Sequence, residues 1–120
     1  MQYIIYDLEA TCWEKGTRPD RMEIIEIGAV RVDATKMTIM DEFDTFVQPV
    51  IEPEPSEFCR NLTSIRQEDV DCAPTFPDAF NSFLDWIGTT DVILCSWGSY
   101  DRKQLLLDVR RQNISDTFSH

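Results

Sequence analysis

Basic charge is scarce in this 120-residue chain: 11 Lys and Arg stand against 22 Asp and Glu, a formal net charge of −11 at pH 7. That balance excludes a broad electropositive surface gripping nucleic acid by phosphate neutralisation alone. Any polyanion handled here needs a local device, and bound divalent metal is the obvious one. Also lacking are a run of about 18 apolar residues and a basic N-terminal region leading into an apolar stretch, so neither a membrane span nor a signal peptide is expected. The four cysteines, Cys12, Cys59, Cys72 and Cys95, form no C-x-x-C pair, and a chain with 42% hydrophobic residues does not need disulfide staples. Free thiols in a reducing compartment are expected, with the cytoplasm as the default. No repeat, low-complexity tract or linker divides the chain, so one domain over residues 1–120 is expected. Histidine occurs once, at His120.

The apolar material is arranged as short strands followed by helices. Residues 2–8 (QYIIYDL) read as a buried strand, and 14–20 (EKGTRPD) as a loop. The β-branched density of 23–32 marks a second strand, with Gly28 suggesting close approach by another element. Residues 33–36 fit a hairpin connection to a third strand over 37–47, which together make an antiparallel meander. Three prolines within 48–55 predict an extended, solvent-facing segment. Short helical pieces are expected near 56–61 and 64–70. The apolar spacing of positions 76, 79, 80, 83, 84 and 87 predicts a helix, with Thr75 as N-cap, Pro77 in its first turn and Gly88 closing it. Residues 92–96 (VILCS) read as a strand buried on both faces, and a helix should restart at Ser99 and run through Leu105, Leu106, Val109 and Ile114. The whole is a mixed α/β sheet with flanking helices.

Against this background the stretch D7-L8-E9 stands out. Residues two apart on a strand share a face, so Asp7 and Glu9 would project side by side about 6.6 Å apart. Ionised, they would repel by roughly 2.5 kcal/mol at an effective dielectric near 20, a cost that a hard divalent cation or a raised pKa relieves. All-oxygen donors select Mg²⁺ or Mn²⁺. The plainer reading is a strand ending at Asp7 and a solvated loop starting at Glu9. A third acid, Asp101, lies in the first turn of the helix after the short strand 92–96, where sites assemble in open α/β sheets. Its plainer reading is complementing the helix dipole, worth about 0.3–1 kcal/mol.

Taken together, D7-L8-E9-A10-T11-C12-W13-E14, E23-I24-I25-E26-I27-G28-A29-V30, F58-C59-R60-N61-L62-T63-S64-I65 and W97-G98-S99-Y100-D101 resemble the DEDDh 3′-to-5′ exonucleases, in the branch of histone-mRNA and small-RNA exonucleases. The resemblance runs from residue 3 to about residue 110. It implies an RNase H-like mixed sheet, a three-stranded antiparallel meander plus a parallel strand, with flanking helices. It also implies two metal ions held by acids, with Asp7 bridging both, Glu9 on the side of the attacking water and Asp101 on the other ion. Substrate contacts implied in the same way are Ala10 and Thr11 to the terminal sugar, Phe58 and Leu62 as a base sandwich, and Trp13 and Tyr100 beside them. Phe58 and Leu62, four apart, equally fit one apolar helix face. Glu26 is family-like but reads as structural.

The family's third motif, a His followed five residues later by an Asp, is absent, because His120 has no Asp after it. A C-terminally truncated exonuclease, a partner chain supplying the missing helix and a degenerate homologue retained for binding all fit this departure. The expected activity is metal-dependent 3′-to-5′ hydrolysis of single-stranded RNA or DNA ends, releasing nucleoside 5′-monophosphates. The alternative is a catalytically incomplete module that binds a nucleic-acid end or a protein partner. Without the last helix one apolar sheet face would be uncovered, so self-association is a further expectation.

Overall fold

The computed structural model describes residues 1–15, 21–96 and 100–111, with the side chain of residue 100 left aside. Its elements in chain order are β1 (Gln2–Ala10), β2 (Ile24–Asp33), β3 (Ile39–Phe46), α1 (Glu57–Thr63), α2 (Gln67–Asp71), α3 (Phe76–Ile87), β4 (Val92–Ser96) and α4 (Tyr100–Arg111). The strands form one sheet of order β3-β2-β1-β4. The first three are antiparallel neighbours, and β4 returns parallel to β1, so the expected meander plus parallel strand is what the chain builds.

Alternation along β1 explains its place at the centre. Ile4, Tyr6 and Leu8 face the core, where they meet Phe80 and Phe83 of α3 and Leu105 and Val109 of α4. Burying each large apolar side chain contributes about 1.5–3 kcal/mol, enough for this layer to dominate the stability of so small a domain. The α3 helix forms where the apolar spacing places it. Thr75 takes the N-cap position without a side-chain capping bond, Pro77 sits in the first turn, and Gly88 ends the helix at φ +77°. A second, smaller cluster of Ile25, Cys59, Ile65 and Val70 seats α1 and α2.

Several expectations shift in detail. β1 continues two residues past Leu8, so Glu9 belongs to the strand and does not begin a loop. β4 is an edge strand with Ile93 45% exposed, because its neighbour lies on one side only and no described element covers that face; it is not buried on both faces. Gly28 is not under close approach: a Cβ there would lie 3.9 Å from the Asp7 carbonyl oxygen, an ordinary contact. The proline-rich segment is only partly solvent-facing. Pro49 and Pro55 are buried, and the buried Glu23 carboxylate accepts hydrogen bonds from the Val50 and Ile51 amides, which ties the segment down. The hairpin is closed by Asp33, whose Oδ1 accepts from the amides of Thr35 and Lys36 at 2.8 Å each. The expected helix start at Ser99 and its continuation to Ile114, like much of the 14–20 loop, lie outside the described residues.

Candidate active site

The site arises from a mismatch in strand length. Among the described residues β1 and β4 pair in parallel as far as Tyr6 and Ser96, and β1 runs on to Ala10. Past Tyr6 the β4 side of β1 meets the first turn of α4. There the Leu8 amide donates to Asp101 Oδ2 at 3.3 Å, a bond that a longer β4 would otherwise make. Asp101 is 6% exposed, and its carboxyl lies beside that of Asp7. Burial first, then the Asp7 contact, raises the Asp101 pKa, while the Leu8 amide works in the opposite direction.

Glu9, two residues along the same face, is raised by burial and then by the charges of Asp7 and Asp101. Sequence reasoning assigned Glu26 a structural role, yet the β1–β2 register sets it directly across from Glu9. Burial, a hydrogen bond with Asp44 and the charges of Asp44, Glu9 and Asp7 push Glu26 up to about 7. In the neighbouring row Asp7, Gly28 and Asp44 align across three strands. Where Gly28 lacks a side chain, the floor between the two aspartates is open, and a hollow of about 510 Å³ lies over it. That Glu26 and Asp44 share the face of Asp7 and Glu9 follows from the pairing register of the three strands.

The donor set is all oxygen, and burial followed by neighbouring acids raises the proton affinities of Glu9, Glu26 and Asp101, which fits a hard divalent ion. With the side chains as they stand, no group of three or more His, Cys, Asp or Glu among the described residues is close enough to hold one. The acids are assembled as a pair, Asp7 with Asp101, and Glu9 acts on them through its charge.

The α1 helix stands against the segment that follows Glu9. Phe58 is 39% and Leu62 67% exposed, one turn apart, and neither belongs to a core cluster, so the plain reading of them as a packed helix face does not hold. Thr11 is 2% exposed, and its hydroxyl accepts from the Glu23 amide at 2.9 Å, which makes it a brace between the chain after β1 and the chain before β2. The Ala10 carbonyl accepts a long bond from Cys59 Sγ at 3.7 Å. Trp13 is half-buried and lines a separate hollow with Ile51, Glu52 and Ser56. Trp97 and the side chain of Tyr100 lie outside the described residues.

A four-stranded mixed sheet whose central strand delivers two acids to a third on the following helix defines the RNase H-like nuclease architecture. A family model described as exonuclease (RNase_T) matches residues 4–113. The chain belongs to this exonuclease family and is homologous to its DEDDh 3′-5′ exoribonucleases. Human 3'-5' exoribonuclease 1 is 37% identical over 109 residues, covering 85% of this chain and 31% of that protein. The 3'-5' exonuclease eri1 of Schizosaccharomyces pombe is 41% identical over 81 residues, 68% of this chain and 27% of its own length. Among solved structures, the nuclease domain of 3'hExo, a DEDDh family member bound to rAMP, superposes with a TM-score of 0.88 at 35% identity, covering 95% of this chain and 60% of that one. The cell-death related nuclease CRN-4 shares the fold at a TM-score of 0.86 and 23% identity, over 94% of this chain and 40% of its own. The chain thus spans about a third of the length of the human relative.

Proposed function

We propose that the chain acts as a metal-dependent 3′-to-5′ exonuclease on single-stranded RNA ends, with DNA as a second substrate class, releasing nucleoside 5′-monophosphates. The observation that carries this reading is the Asp7–Asp101 carboxyl pair between β1 and α4, with Glu9 two residues on along the same face of β1. Two Mg²⁺ or Mn²⁺ ions held by Asp7, Glu9 and Asp101 would supply water activation on one side of the scissile phosphate and charge stabilisation on the other. Asp7, between the other two acids, would serve both ions. Because burial and the Asp7 contact raise the Asp101 pKa, cation loading is favoured by rising pH.

Phe58 and Leu62 seat the terminal base, since exposed apolar side chains one helical turn apart offer its flat face a platform. With Thr11 committed to β2, contact with the terminal sugar falls to the backbone at Ala10 and Thr11. That the relatives are exoribonucleases, and that the 3'hExo domain was solved with rAMP, supports RNA over DNA. The four free cysteines support a reducing, cytoplasmic setting. The exposed Ile5 and Ile93 on the carboxylate side support self-association, which sedimentation equilibrium would test through a monomer mass that rises with concentration.

A second reading, binding without cleavage, is favoured by one observation: the only histidine is His120, so no imidazole base stands among residues 1–111. End-labelled single-stranded RNA and DNA incubated with Mn²⁺ separate the two. Progressive 3′ shortening that Asp7→Ala and Glu9→Ala abolish supports the exonuclease. Retention of RNA without shortening supports the binding module, and shortening restored only by a chain extended through a downstream His and Asp assigns the missing base. Unchanged Mn²⁺ binding in both alanine variants would overturn the metal site itself.

A further inference from the structure

The α1 helix poses a physical problem. Its seven residues are too few to be stable alone, and its one buried side chain is Cys59, while Phe58 and Leu62 point away from the core. What holds its outward face in register with the carboxylates is therefore not a hydrophobic stripe. Besides the packing of Cys59 with Ile25, Ile65 and Val70, its links are polar, and they run to the segment that follows Glu9. Ser56 Oγ donates to the Cys12 carbonyl at 2.7 Å and accepts from the Cys59 amide at 3.0 Å. Cys59 Sγ reaches the Ala10 carbonyl, and the Cys12 and Cys59 thiols lie beside each other.

We propose that Ser56 is a positioning residue: its hydroxyl couples α1 to the backbone just past Glu9 and so fixes where a base seated on Phe58 and Leu62 presents its phosphate to the acids. This rests on the nuclease reading above. An ordinary N-cap needs only an acceptor for the Cys59 amide. Coupling needs the same oxygen to donate as well, because the Cys12 carbonyl can only accept. The two roles therefore come apart by substitution. Thr keeps donor and acceptor, whereas Asp at neutral pH keeps the cap, sets a second acceptor against the Cys12 carbonyl and cannot donate.

The test uses the full 120-residue chain, a ten-nucleotide single-stranded RNA with a phosphorothioate 3′-terminal linkage, and Mn²⁺, with binding followed by fluorescence anisotropy and amide hydrogen exchange followed in parallel. Ser56→Asp is expected to keep the melting temperature and the exchange protection of residues 57–63, to speed exchange across residues 10–13 about fivefold, and to weaken RNA binding about tenfold. Ser56→Thr is expected to restore both readouts to within twofold of the parent. If Ser56→Asp leaves exchange at 10–13 and RNA affinity unchanged, the hydroxyl is a cap only and the proposal is overturned. If the parent chain binds no RNA but exchange responds as described, the coupling stands and the nuclease reading falls. A variant that loses protection at 57–63 as well shows that Ser56 holds the helix rather than its register, which also overturns the proposal.

Discussion

The two faces of the central sheet are made from the same strands and put to opposite uses. Toward α3 and α4, alternate residues of β1 disappear into a packed layer, with Ile4, Phe80 and Phe83 fully buried. Toward the other side, Asp7, Glu9, Glu26 and Asp44 crowd like charges together, and Ile5 and Ile93 remain exposed. Period-two alternation makes this division possible, because a strand can commit its odd positions to chemistry without disturbing its even ones. The difference teaches that the acids are tolerated and not stabilising: the proton affinities of Glu9 and Glu26 are raised, by burial first and then by neighbouring acids, a cost that the packed face outweighs.

The contrast can be broken most severely from the packed side. Phe83→Ala should cost about 3–5 kcal/mol of stability, read as a fall in the urea midpoint with little change in slope. A loss below 1 kcal/mol would mean that the aromatic layer of Phe43, Phe83 and Trp86 does not anchor the fold. From the other side, Asp7→Asn should lower Mn²⁺ affinity about 100-fold or more, by titration calorimetry, while the metal-free melting temperature stays the same or rises as repulsion is relieved. Destabilisation by Asp7→Asn would contradict the division between the faces.

Phe58→Ala should weaken binding of a single-stranded 3′ end by about 1–3 kcal/mol, the usual worth of a base–aromatic contact. Because the ring is exposed, stability should change by less than about 0.5 kcal/mol. A denaturation curve beside an anisotropy titration checks both halves.

The smallest effect is a pH dependence. Burial pushes the Asp108 carboxyl up to about 6, even though it accepts bonds from the Ile24 amide and Arg111, each at 2.8 Å. A carboxyl whose folded pKa exceeds its unfolded value binds more protons when folded, so its contribution is greatest below about pH 4 and is lost as pH rises through about 6. Glu26, at about 7, extends the decline. The metal-free chain should therefore melt lower at pH 8 than at pH 5, and Asp108→Asn should flatten the slope between pH 4 and 6.

Much of this was legible from the residues. The period of residues 76–87 could belong only to a helix, and the β-branched run at 24–32 only to a strand, so the meander and α3 follow from local pattern. Asp7, Glu9 and Asp101 could be singled out because strand and helix-start positions are local properties as well. Glu26 and Asp44 could not, because their place beside Glu9 and Asp7 depends on which residue of one strand faces which of the next, and a hairpin of unknown length leaves that undetermined. The bracing role of Thr11 stayed hidden for a related reason: the Glu23 amide from which its hydroxyl accepts is placed only once the chain opposite is built. The fate of Phe58 and Leu62 was equally hidden, since a four-residue spacing describes a buried stripe and an exposed platform alike.

The unequal lengths of β1 and β4 carry one more implication. Where a strand outruns its neighbour, its bare amides invite a stray segment from another molecule to dock and begin a fibril. Here the Leu8 amide is already occupied by an aspartate whose burial makes it hard to displace. The notch that opens the sheet to chemistry is thus also plugged against the borrowed strand that would seed aggregation.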